Sequence, residues 1–88
     1  MSYSYANERS FVFTEEGQVK FLEIRDRAAK LLRKSGAIQC SHLISGSSGD
    51  SWSLLACVDR LVELKELIEV SNPISQAGQH RIFIEPYR

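Results

Sequence analysis

The reading of the chain turns on DSWSLLACVDRLVELKELIEV, residues 50–70. Within it Leu54, Cys57, Val58, Leu61, Leu64 and Leu67 recur three or four apart, the spacing that places side chains on one face of an α-helix. Asp50 follows the small-residue run Ser45 to Gly49 and is the expected N-cap, its carboxylate accepting from backbone N–H groups of the first turn. The spacing predicts a helix over 50–66. The β-branched pair Ile68 and Val70 then marks a change to extended chain.

Working outward, residues 71–79 carry the turn chemistry of Asn72, Pro73 and Gly78 before His80 to Ile84 resumes a strand that Pro86 ends. The C-terminal part is therefore expected as a β-hairpin with a long tip. Upstream, Thr14 is the expected cap of a first helix. Glu15 and Glu16 open it and Lys30, Arg33 and Lys34 close it, matching the helix dipole, and Gly36 stands where a left-handed residue ends it. Phe21, Ile24, Ala28, Leu31 and Leu32, joined by Leu22 and Ala29, form its apolar stripe. Ala37 to Gln39 reads as an extended connector and Cys40 to Ile44 as one or two helical turns begun by Ser41. Before Thr14, residues 1–13 read as an N-terminal arm, with Phe11, Val12 and Phe13 as a short strand or a clip across the core. The fold class expected is mainly α with a C-terminal β-hairpin, residues 14–88 forming one domain. In all, 88 residues suffice for a single modest core.

Composition narrows the function. Eleven basic and eleven acidic residues cancel, so no global field draws the chain to nucleic acid or to an anionic membrane. No apolar run approaches the roughly 20 residues of a membrane helix, and a cytoplasmic protein without membrane partners is expected. Cys40 and Cys57 read as reduced thiols. Cys40, His42, Cys57 and His80 lack the paired spacing of a structural zinc site, so no metal is expected. Neither a nucleophile elbow nor a phosphate-binding loop is present, and the expectation is a non-enzymatic chain without cofactors. Trp52 is expected in the core.

Helix, short strand, short helix, turn, long helix and hairpin is an order that resembles the winged helix-turn-helix superfamily, three helices plus a wing. Residues 61–70, LVELKELIEV, look like the place where a recognition helix ends and the first wing strand begins; residues 78–84, GQHRIFI, look like the return strand. Many winged helices carry glycine where this chain has Lys65, because the position commonly needs a positive φ. The resemblance implies a small DNA-binding regulator of transcription, a homodimer, with Ser51, Ser53, Ala56 and Arg60 at the major groove and Gln76, Gln79 and Arg81 on the wing. Arg27, Lys30 and Lys34, which share a face of the first helix, would form a secondary basic patch. The residues themselves raise an objection. Five acids (Asp50, Asp59, Glu63, Glu66, Glu69) face only two bases (Arg60, Lys65) between residues 50 and 69, a balance of minus three where phosphate contact needs cations. The alternative expectation is a winged-helix protein-interaction module that does not bind DNA.

Overall fold

The structure, a computed structural model, describes residues 3–47, 50–70 and 81–86. Four helices pack around a small antiparallel sheet: α1 (Tyr5–Val12), α2 (Glu15–Ser35), β1 (Ala37–Gln39), α3 (Cys40–Ile44), α4 (Ser51–Glu63), β2 (Ile68–Glu69) and β3 (Ile82–Ile84). The sheet order is β1-β3-β2.

Helix α2 forms as its end signals require. The Thr14 hydroxyl accepts from the Gly17 N–H at 3.0 Å, and Gly36, at φ +76°, takes the left-handed turn that ends the helix. Phe21, Ile24 and Ala28 are buried as expected. Leu22 and Ala29 are not: both are exposed, because the neighbours of α2 cover a narrower stripe than the sequence suggests.

Helix α4 is the centre of the packing. Leu54, Leu55, Ala56, Cys57 and Val58 are buried in succession, followed by Leu61, so the helix is enclosed on more than the single face its main periodicity marks. Asp50 stands at its N-cap, yet its carboxylate accepts no backbone N–H; the Ser53 hydroxyl lies 3.5 Å from it instead. The helix also ends earlier than the expected 66. The Lys65 N–H donates to the Val62 carbonyl at 3.0 Å and the Glu66 N–H to the Leu61 carbonyl at 2.9 Å. That pair of bonds is a Schellman ending, in which the residue after the cap must be left-handed. Lys65 takes the role at φ +63°, the one non-glycine residue with positive φ among the described residues. The reversal breaks the periodicity. Leu64, expected on the inner face, is 43% exposed, whereas Leu67 beyond the turn swings back into the core at 2%.

The largest departure is at the N-terminus, where residues 5–12 form a helix and not a strand or clip. The Ser4 carbonyl accepts the Asn7 and Glu8 N–H groups, and Val12 is fully buried. An eight-residue helix is too short to persist alone, so α1 exists because it packs on α4 and on the start of α2. Gly17 permits the second contact. A Cβ there would overlap the Phe11 carbonyl oxygen and come within 2.9 Å of the Val12 Cα.

Residues 37–39, read as an extended connector and as the short strand of the winged-helix order, form a strand: Ile38 pairs with Phe83 and Gln39 with Ile82. The expected hairpin strands are present, with Ile68 opposite Ile84 and Glu69 opposite Phe83. The tip, residues 71–80, lies outside the described residues. Val12, Ile24, Leu43, Val58, Leu61, Leu67 and Phe83 make the fully buried centre, and every element except β2 contributes to the core cluster. No described helix is long and apolar enough to cross a membrane.

Candidate interaction surface

Two regions set the character of the surface. The first is the outward side of α4, where a second stripe runs beside the apolar one: Trp52, Ala56, Asp59 and Glu63, again four, three and four apart. Helix α1 and the residues before it lie along that stripe. The Tyr3 ring meets Trp52 edge-on with centroids 6.5 Å apart, and its hydroxyl donates to Asp59 Oδ2 at 2.6 Å. Tyr5 donates to Glu63 Oε1 at 2.7 Å, and Arg9 pairs with the same carboxylate at 3.1 Å. Arg60 adds a third donor to Glu63 at 2.8 Å. The guanidinium groups of Arg9 and Arg60 both lie over the Phe13 ring, at 4.9 and 5.0 Å from its centroid.

Titration behaviour follows from this geometry. Hydrogen bonds from Tyr5 and Arg60, then Arg9, hold the Glu63 carboxyl down to about 2. Burial, with the bond to Glu63, pushes the Tyr5 phenol up to about 12. Burial and the bond to Asp59 likewise raise Tyr3. The patch is self-neutralised: every acid in it has a donor, and each tyrosine hydroxyl is committed.

The residues expected at a DNA groove fare accordingly. Ser51 is exposed, and Ser53 is half-buried. Ala56 is fully buried, against expectation, because it sits at the middle of the stripe that α1 covers. Arg60 is tied to Glu63 and Phe13. Arg81 points inward: its side chain is 13% exposed, pairs with Asp59 at 2.5 Å and Glu69 at 2.8 Å, and lies over the Phe83 ring. Burial alone would lower its pKa, but the bonds to Asp59 and Glu69 outweigh that and raise it. Gln76 and Gln79 lie outside the described residues. In the second expected patch, Arg27 leaves Lys30 and Lys34 and clasps α3 instead, donating to the Leu43 carbonyl at 2.6 Å and the Ser47 hydroxyl at 2.7 Å, with Glu23 at 3.3 Å. Lys30 and Lys34 stay exposed.

Cys40 and Cys57 are buried free thiols whose pKa values burial pushes up to about 11, so neither is a ready nucleophile. Among the described residues no group of three His, Cys, Asp or Glu side chains could hold a metal ion.

The second region is open. A cleft of about 590 Å³ lies between the C-terminal half of α2, the Lys65 turn and the chain leaving β3, bounded among others by Arg25, Leu32, Arg33, Lys65 and Pro86. Beside it the sheet exposes Ile68, Val70 and Ile82, each between 38% and 51%. Asp59 and Glu63, which the sequence marks only as acids against DNA contact, and Tyr3, Tyr5, Arg9 and Gly17 are the residues whose structural roles the sequence did not assign. The second stripe on α4, Trp52 through Glu63, was the signal for the first two. Compared with known proteins, the chain matches no family model, no curated protein and no solved structure.

Proposed function

We propose that this chain is a winged-helix protein-interaction module and that α4 does not read a DNA groove. The winged-helix part of the reading is supported by the order of elements after α1, by the β1-β3-β2 sheet and by the left-handed residue at Lys65, between the long helix and the first hairpin strand. The observation that carries the functional part is the cover on α4. Tyr3, Tyr5 and Arg9 occupy the stripe Trp52, Ala56, Asp59 and Glu63 that a groove-reading helix would have to present. The cations expected to contact phosphates at that face, Arg60 and Arg81, are already bonded to carboxylates. Releasing them would leave Asp59 and Glu63 facing a polyanion. The apolar strip Ile68, Val70 and Ile82 and the neighbouring cleft are the surfaces left for a protein partner.

The DNA-binding regulator remains the second reading, and one observation favours it. Arg25, Lys30, Arg33 and Lys34 are exposed along α2 and could contact phosphates without reading sequence. Fluorescence anisotropy of a labelled mixed-sequence duplex at low salt separates the two. The protein-interaction reading expects no tight binding at micromolar chain. Tight binding that falls steeply with added salt and is weakened by Arg60→Ala would overturn it in favour of the regulator.

A further inference from the structure

The cleft beside Lys65 gathers three cations that are not committed to the chain's own acids, in contrast to the arginines of the closed region. Arg9, Arg27, Arg60 and Arg81 are each ion-paired. Arg25, Arg33 and Lys65 all line the cleft, are exposed, and make no side-chain ion pair or hydrogen bond among the described residues. Between them the floor is apolar: Ala28, Leu61 and Leu67 are almost wholly buried beneath it. The volume, about 590 Å³, lies within the range of roughly 300–1,000 Å³ over which clefts take ligands.

Lys65 supplies an independent observation. A Schellman turn at this position is made without strain by glycine, yet here a side chain with a Cβ holds φ +63°. The backbone is strained, and the residue that bears the strain lines the cleft; retained strain of this kind clusters at functional sites.

We propose that the cleft binds a peptide segment of a protein partner that carries a carboxylate next to an apolar side chain. The inference rests on the protein-interaction reading and names the partner's chemistry. The apolar side chain covers the Leu61 and Leu67 floor, and the carboxylate meets Arg25, Arg33 and Lys65. Three cations face two carboxylates in the lining, Glu66 and Glu85, so the site is net positive but not uniformly so. That mixture fits a peptide better than a free fatty acid, because the cleft adjoins the exposed strip Ile68, Val70 and Ile82, along which an extended peptide can continue, and its N–H groups can donate to Glu66. A nucleic-acid backbone would meet the same two carboxylates with further negative charge.

A random peptide library displayed against the full-length chain tests the proposal. The expected result is enrichment of sequences with Asp, Glu or a terminal carboxylate adjacent to Leu, Ile, Val or Phe. A synthetic peptide from that pool should bind at least about tenfold more weakly to the Arg33→Glu and Lys65→Gly variants. Lys65→Gly should at the same time unfold at the same or a higher temperature than the parent, which separates loss of the ammonium group from loss of the fold. Failure to enrich acidic-apolar sequences overturns the inference, as does octanoate competing as well as the peptide. Enriched peptides that bind both variants undiminished overturn the cleft assignment while leaving the protein-interaction reading standing. Salt-sensitive duplex binding that depends on Arg60 would overturn that reading itself.

Discussion

The C-terminal half of α4 and the turn that follows it have opposite surfaces. Around Asp59 and Glu63 each charge is matched: Glu63 accepts from three residues, and Asp59 from Tyr3 and Arg81. Around Lys65, less than one helical turn past the end of the helix, three cations stand over an apolar floor with no side-chain partner among the described residues, and the backbone is strained. A folded chain gains from satisfying its own charges and relaxing its own turns. Where it does both, the surface is structural; where it does neither, the free groups are available to something else.

The comparison can be sharpened by substitution, beginning with the residue beneath both regions. Leu61 is 1% exposed and supports the cleft floor as well as the α2–α4 contact. Leu61→Ala should cost about 2–5 kcal/mol in urea unfolding, and a near-neutral value would mean that the floor is not packed. Asp59→Ala leaves Arg81 buried with only Glu69. A loss of about 3 kcal/mol is expected, toward the low end for breaking a buried pair because one partner remains. A loss below 1 kcal/mol would place Arg81 in solvent.

Gly17→Ala acts on the closed region alone. The added methyl group meets backbone, which cannot rotate away, so α1 must shift; a cost of about 1–3 kcal/mol is expected, with Trp52 emission moving toward that of a solvated indole. Unchanged emission would show that α1 does not shield Trp52. Lys65→Gly should have the reverse sign and stabilise by about 1 kcal/mol, since glycine takes the left-handed turn without strain. Destabilisation there would show that the Lys65 side chain packs instead of waiting at the cleft.

The smallest effect is with acid. The Glu63 carboxyl is held at about 2 against an ordinary value of 4.5. A depressed carboxyl contributes stability that is complete above its unfolded value and is lost as pH falls through its folded one. The α1–α4 contact should therefore weaken between about pH 4.5 and 2, visible in Trp52 fluorescence, and Glu63→Gln should remove that step. A step of the same size in Glu63→Gln would assign it to another carboxyl.

How far the fold was legible follows from where its determinants lie. Helix α2 was readable because Thr14, Glu15, Glu16 and Gly36 act within one or two turns of themselves. The inner face of α4 and the hairpin were readable from periodicity, and the reduced cysteines from their context. Helix α1 was not. Its eight residues, YANERSFV, are too few to hold a helix alone, and its stability comes from residues more than 50 positions away. The fate of Arg81 was equally non-local, since Asp59 lies 22 residues before it. Leu64 and Leu67 exchanged roles because the Lys65 turn shifts the phase of the repeat, which a count of spacings cannot register. Of the residues expected at a DNA groove, Ser51 is open, whereas Ala56, Arg60 and Arg81 are drawn into contacts made by α1, β2 and α4 itself. The open cleft was not anticipated, because it forms only when the end of α4 is brought against α2 and the exit of β3.

The closure of α4 by α1 is tested most directly by thiol labelling at position 56. Cys40 and Cys57 are buried, so an Ala56→Cys chain, followed by mass at that residue beside a Ser51→Cys control, reports the two positions separately. The expected result is rapid labelling at 51 and protection at 56 that is lost only when the chain unfolds. Labelling at 56 as fast as at 51 in the native chain would contradict the closure and return the outward face of α4 to solvent.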